Sequence, residues 1–226
     1  MSGDNAAAWS LPGVVEYFNS RRGATADVYP SEWVFLRDRL KDGVSVLDIG
    51  CAQGGFAAVA GEHARRFTYT GIDISAEMIA AARTRHPQHR FLHVPEGDYS
   101  ALGDERFDLV LVLGILHLHE SWRETLRAGW RHTRGSLVFD LRQTDGPTVE
   151  DKARSYSRMD FGRQDTTHSA AHIPYNVLNA GEALGISRRI CDGAKRLSLH
   201  GYTMSVSGAA VTPHPEVLAS VYCAER

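Results

Sequence analysis

The chain has 226 residues, 43% hydrophobic and 23% charged, the proportions of an ordinary globular domain, which exclude disordered, collagen-like and long coiled-coil chains. Its 25 Lys and Arg against 27 Asp and Glu leave a formal charge of -2, so nothing draws it over long range to nucleic acid or to an anionic membrane. The longest apolar run, 109–116, is far short of the ~20 residues that span a bilayer, and Met1 to Asn5 shows no secretory pattern. Three widely spaced cysteines (Cys51, Cys191, Cys223) without a CxxC pair argue against a disulfide framework or a zinc site, and a reducing, cytoplasmic setting is expected.

Before residue 43, Val14, Val15 and Phe18, and later Trp33, Val34, Leu36 and Leu40, recur at helical spacing, with Pro30 and Ser31 as a helix start. Residues 1–42 therefore read as an amino-terminal helical cap, two helices joined by a loop over 21–27. The β-branched apolar run 44–50 reads as a strand buried on both faces of a parallel sheet. A helix over 54–66, a strand over 67–74, a helix over 75–85 capped by Ser75, and a short strand over 91–94 follow. Then come a strand over 107–113, a helix over 120–132 and a strand over 136–141. Such alternation predicts an α/β fold with a doubly wound, mostly parallel sheet whose core covers 43–141.

Residues 142–172 turn polar and lose periodicity, which predicts an insertion or lid after the fifth strand. Within 173–226 a helix over 175–184, ended by Gly185, is expected, with apolar stretches 186–191, 196–206 and 217–224 supplying two or three closing strands. One domain over 1–226 accounts for the whole pattern.

The densest information lies in 46–56, Val-Leu-Asp-Ile-Gly-Cys-Ala-Gln-Gly-Gly-Phe, where an acidic residue ends a buried strand and small residues open a tight turn into a helix. Small residues there let backbone amides approach a ligand near the positive end of a helix. Asp73 closes the second strand, where a carboxylate commonly binds both hydroxyls of a ribose. Glu96-Gly97-Asp98-Tyr99 follows the third strand, and Phe107-Asp-Leu-Val-Leu-Val-Leu-Gly114 forms the fourth.

Taken in order on successive strands, these segments make the stretch 44–141 resemble the class I S-adenosylmethionine-dependent methyltransferases of the small-molecule type, whose pattern reads LDxGCGxG, GxDxS, GD and FDxVxxxxxLHH. The resemblance implies a Rossmann-like seven-stranded sheet with an antiparallel last strand, and S-adenosyl-L-methionine as cofactor. It places Asp48, Gly50, Cys51, Ala52 and Gly54 along the methionine portion of that cofactor. Asp73 falls on the ribose, Ile74 against adenine, Asp98 on the adenine amino group, Tyr99 beside the ring, and Leu113 and Gly114 beneath the cofactor. One departure is Ala52, which stands where the family has its central glycine. Tyr17, Arg21 and Arg22 are candidates to close over the cofactor, an arginine on its carboxylate, or else form a solvated face.

Two other readings stay open: an NAD(P)-dependent dehydrogenase, because 50–55 approximates GxGxxG/A, and a non-catalytic cofactor-binding interaction module. The fourth strand ends without the proline pattern of enzymes that methylate nucleobases or glutamine, so a small polar acceptor, methylated at a hydroxyl oxygen, is expected, with no nucleic-acid or membrane partner. His117 and His119 lie where the family's post-strand histidines occur. A neutral imidazole, with a reference pKa near ~6.5, suits His117 to take a hydroxyl proton, or it serves only to pack the loop. No metal is expected. Arg142, Arg154, Tyr156, Arg158, Arg163, His168 and His172 of the polar stretch are candidates to line the acceptor pocket.

Overall fold

The computed structural model describes residues 3–9, 14, 16, 23–95, 97–159 and 172–226. Helix α1 (Gly3–Trp9) and helix α2 (Pro30–Leu36, with Pro30 at its first position) precede β1 (Ser45–Ile49). Then α3 (Gly55–His63), β2 (Thr68–Asp73), α4 (Ala76–Arg85) and β3 (Arg90–His93) alternate. Ser75 caps α4 as its sequence position suggests, accepting from the Met78 amide at 3.3 Å. The next alternation is β4 (Phe107–Val112), α5 (Trp122–Arg131) and β5 (Thr133–Thr144).

The main sheet runs β3-β2-β1-β4-β5, all parallel, and ends in two further strands, β11 (Glu216–Glu225) and β9 (Arg196–Ser205). β11 is antiparallel to both of its neighbours, Tyr222 standing opposite Phe139 on one side and Leu199 on the other. This is the doubly wound, Rossmann-like seven-stranded sheet with its last strand reversed that the sequence predicts. An eighth strand, β8 (Leu178–Asn179), pairs parallel with the end of β5.

Both faces of the sheet are buried, as near-continuous apolar strands require. Leu109, Leu111, Val46 and Val138 pack on one face with Leu36, Phe56 and Val59, whereas Val110, Val112, Leu47 and Phe139 pack on the other with Trp122, Leu126 and Ala183. Each such side chain contributes roughly 1.5–3 kcal/mol when fully withdrawn from water. This core holds the strand ends rigidly in register, which is what the site needs.

Two expectations change. Residues 142–144 are not part of an insertion but the last turn of the pleat in β5, because Arg142 and Gln143 pair with Ala219 and Leu218 of β11. Beyond them, β6 (Tyr156–Arg158), β7 (His172–Pro174) and β10 (Ala210–Val211) form a separate antiparallel sheet. The closing helix, α6, spans Ala180–Ile190 instead of 175–184, and so absorbs 186–190, expected as strand. Its start is set by Asn179, whose Oδ1 accepts from the Gly181 and Glu182 amides at 3.0 and 3.3 Å. Ala183, Ile186 and Ile190 then share one face against the sheet, so Gly185 sits inside the helix.

Candidate functional site

Sheet growth reverses between β1 and β4, and beyond the carboxyl ends of β1, β2 and β4 opens a cavity of about 870 Å³. Open parallel sheets place their ligands at this point, because the loops leaving neighbouring strands there diverge to opposite faces. The turn from β1 to α3 forms its floor. Gly50 has φ +78, and a Cβ added to it would lie 2.8 Å from Cγ2 of Ile115 on the β4 side, so the close approach of these two loops requires glycine. Ala52 adopts φ +46, the left-handed conformation, which costs an L-residue about 1–2 kcal/mol. What holds it there is Asp73: the Ala52 N–H donates to Asp73 Oδ2 at 2.8 Å.

Asp73 is bound from the other side too, its Oδ1 accepting the Ser75 N–H at 2.9 Å. Burial pushes its carboxyl up, the amides of Ser75, Ala52 and Ile74 oppose that, and the net direction is upward from the ordinary range. A carboxylate accepts about four hydrogen bonds, so these partners leave room for donors from the cavity, which Asp73 lines. Asp48 is buried at the end of β1, and the Tyr69 hydroxyl donates to its Oδ2 at 2.5 Å. Burial, and then the negative charge of Asp48, push the Tyr69 hydroxyl well above its usual range, so it stays a proton donor.

At the far end, β5 contributes an ion pair. Arg142 lines the cavity, and its Nη1 donates to Asp140 Oδ2 at 2.6 Å; the other carboxylate oxygen, Oδ1, accepts the Gly114 N–H at 2.5 Å. Burial raises the Asp140 carboxyl, but Arg142, His117 and the Gly114 amide outweigh it and hold it below the ordinary carboxylate range. His117 stands in a short turn after β4, 7% exposed, edge-on to Tyr175 with ring centroids 5.4 Å apart. Burial, followed by the charge of Arg142, pushes its pKa down to about 3.

Of the residues singled out in the sequence, Asp48, Gly50, Cys51, Ala52, Asp73, Ile74, Tyr99, Leu113, Gly114 and His117 all line this cavity. Gly54 and Asp98 do not. Gly54 sits behind the turn as the left-handed cap of α3, packed toward Phe91 and His86. Asp98 is exposed, and its Oδ1 takes the Ser100 amide at 3.0 Å in a local turn. Tyr17, Arg21 and Arg22 lie outside the described residues, as do Arg163 and His168. Among the other polar-stretch candidates only Arg142 lines the cavity; Tyr156 stacks on His172 at 4.4 Å, and Arg158 donates to the Gly208 carbonyl at 3.3 Å.

His117 is where the sequence puts it, and the burial and Arg142 charge that push its pKa down to about 3 weigh against a general-base role at neutral pH. Residues that line the cavity without any sequence signal include Trp9 of α1, Tyr29 just before α2, Met78 of α4 and Thr125 of α5. Only the tertiary fold brings them there. Thr125 could have been found only through its partner, the Tyr99 hydroxyl, 2.7 Å from its Oγ1.

Residues 47–137 match the family described as a methyltransferase domain. Among curated proteins, the malonyl-[acyl-carrier protein] O-methyltransferase of Pectobacterium atrosepticum is 30% identical over 141 residues, 61% of this chain and 52% of that protein. The fatty-acid O-methyltransferase of Mycolicibacterium smegmatis is 36% identical over 80 residues, 34% of this chain and 29% of that one. The chain thus spans about half the length of the first relative and under a third of the second. Among solved structures, the Burkholderia thailandensis 1,6-didemethyltoxoflavin-N1-methyltransferase, with S-adenosylhomocysteine bound, superimposes with a TM-score of 0.58 at 18% identity, covering 97% of this chain and 84% of that one. At that identity the likeness is one of fold. Strand order, the turn after β1 and the matched stretch agree: this chain carries the class I S-adenosylmethionine-dependent methyltransferase fold, and residues 47–137 match the methyltransferase-domain family.

Proposed function

We propose that this protein transfers a methyl group from S-adenosyl-L-methionine to an oxygen of a small polar acceptor. The observation that carries the reading is the convergence, on one cavity, of the Asp73 carboxylate, the turn 50–53 and Tyr99, with Arg142 and His117 at the opposite end. The cavity's about 870 Å³ lies in the upper part of the range of small-molecule sites, ~300–1,000 Å³, which suits a nucleoside cofactor with a small acceptor beside it. Asp73 is the residue to hold the ribose hydroxyls, the turn amides and Asp48 the methionine end, and Ile74 and Tyr99 the base. When bound, the cofactor supplies a methyl group on a positively charged sulfur. The protein's part is to hold an acceptor atom in line with it and to keep water out. Oxygen is favoured over nitrogen because both curated relatives are named as O-methyltransferases.

The same reading treats 43–141 as the cofactor-binding core of a single domain, with 1–42 as its cap. No helix among the described residues is long and apolar enough to cross a membrane. A cytoplasmic setting is supported by three cysteines that are buried and free.

Calorimetry tests the cofactor. S-adenosylhomocysteine should bind in the micromolar range and NAD or NADP not at all, and Asp73→Ala should weaken that binding at least tenfold, since hydrogen bonds to a charged group contribute about 1.5–3 kcal/mol. Tight binding of NAD with none of S-adenosylhomocysteine would reverse the assignment to a dehydrogenase.

A further inference from the structure

The acceptor end of the cavity contains two features that the binding of a cofactor does not use. The first is Arg142. Its side chain is 16% exposed, and it is neutralised by Asp140, 6% exposed, which does not line the large cavity but borders, with Arg142, a separate one of about 90 Å³. Asp140 occupies one terminal nitrogen, Tyr175 adds a side-chain contact, and the guanidinium still borders the large cavity. Burying an ion pair is costly in itself, and replacing one with apolar residues is often neutral or stabilising, so its place in a cavity wall calls for a use. A guanidinium carries five N–H donors in a fixed fork that matches a carboxylate.

The second feature is His117. Its Nδ1 is buried with no hydrogen-bond partner, although the ring lines the cavity. As a neutral ring it donates one N–H, and it stands close enough to Arg142 for that charge to act on it.

We infer that the acceptor is a carboxylic acid on an apolar stem, its carboxylate seated on Arg142 with His117 donating beside it; this rests on the methyltransferase reading above. Trp9, Met78 and Leu118, apolar residues of one cluster, line the same cavity and would take the stem. The chemistry needs no base. A lone pair of the carboxylate oxygen forms the new bond to the methyl carbon while the carbon–sulfur pair passes to sulfur. Anion and sulfonium charges cancel, giving a methyl ester and S-adenosylhomocysteine, and no proton has to be removed. An alcohol acceptor would have to lose one.

The experiment uses the full chain with S-adenosylmethionine and a panel of hexanoate, octanoate, dodecanoate and phenylacetate beside the matching primary alcohols and amines, with products identified by mass spectrometry. Calorimetry of S-adenosylhomocysteine is run first, and its failure to bind defeats the methyltransferase reading itself. Given binding, methyl ester from at least one acid and no ether or methylamine is the expected result. No ester from any acid, or turnover of alcohols or amines instead, overturns the carboxylate inference and leaves the methyltransferase reading standing. R142K keeps the charge but loses the fork, and should raise the acid's KM at least tenfold and weaken its calorimetric binding to the S-adenosylhomocysteine complex equally, with S-adenosylhomocysteine affinity unchanged. His117→Leu, which leaves the Asp140–Arg142 pair intact, should raise the KM severalfold and serves if R142K does not fold. Unchanged acid binding in the folded variants also overturns the inference.

Discussion

The Tyr69 hydroxyl reaches across from β2 to Asp48 Oδ2 on β1 at 2.5 Å, joining two buried polar groups directly beneath the cavity. Tyr69 does not line the cavity, whereas Asp48 does, so the phenol acts on a ligand only through the carboxylate that it fixes. Tyr69→Phe keeps the packing against Phe91 and removes only the donor. It should cost about 1–3 kcal/mol of stability, as a buried acceptor left short of a donor does, and weaken S-adenosylhomocysteine by about three- to tenfold. Thermal melts with calorimetry on the same sample check both. A stability loss with wild-type affinity would confine Tyr69 to the core.

Ala52 offers a substitution in the opposite direction. Its φ of +46 is one that glycine adopts freely, so Ala52→Gly relieves about 1–2 kcal/mol of strain in the folded state and gives back about 0.4–1 kcal/mol through a more flexible unfolded chain. The net gain should be about 0.5–1 kcal/mol, a rise in Tm of about 1–4 °C for a chain of this size. A fall in Tm would show that the alanine methyl contributes packing worth more than the strain.

Much of this was legible in the sequence for a definite reason. The strand 45–49, the turn after it and Asp73 are local signals, each set by residues within a few positions, and all appear at the cavity. The register of α6 was missed because Asn179 caps it while the apolar 186–190 reads equally as strand or as the inner face of a helix. β6, β7 and β10 are short and half polar, and they exist only through pairing between segments far apart in sequence, which no local pattern encodes. The lowered basicity of His117 and the ion pair of Arg142 with Asp140 are not legible for a related reason: both depend on burial and on the placing of β5 beside β4.

Glu150 fastens the segment after β5 to the first turn of α5. Its Oε1 accepts from Trp122 Nε1 at 2.6 Å and Arg123 Nη1 at 2.7 Å, and its Oε2 from Arg123 Nη2 at 2.8 Å. Burial raises its carboxyl, but Arg123 and Trp122 outweigh this and hold it below the ordinary range. With both partners of the pair about a third exposed or less, this bidentate tie exceeds a typical surface pair. Glu150→Ala should cost about 1–2 kcal/mol, a fall in Tm of about 3–6 °C. A change below about 1 °C would mean that solvent replaces the tie without loss.

His117 gives the protein a titration that can be read without knowing any acceptor. Its pKa is about 3 in the folded chain, against ~6.5 for a free imidazole, because burial disfavours the charged ring and Arg142 adds repulsion, with His119 on the same side and Asp140 opposing. The unfolded state therefore binds a proton that the folded state refuses. The contribution is fully present above ~6.5 and is lost as pH falls from there toward 3, at about 1.4 kcal/mol per pH unit. His86, His89 and His132 are also held below their ordinary range by burial, so the wild type and a His117 variant share their effect and it cancels in the difference. Urea unfolding at pH 6.5, 5.5 and 4.5 should show the wild type losing about 2–3 kcal/mol more than His117→Leu across that interval. Parallel losses would mean that His117 takes up its proton in the folded protein near its ordinary pKa, which would restore it as a candidate base and, with it, a hydroxyl acceptor.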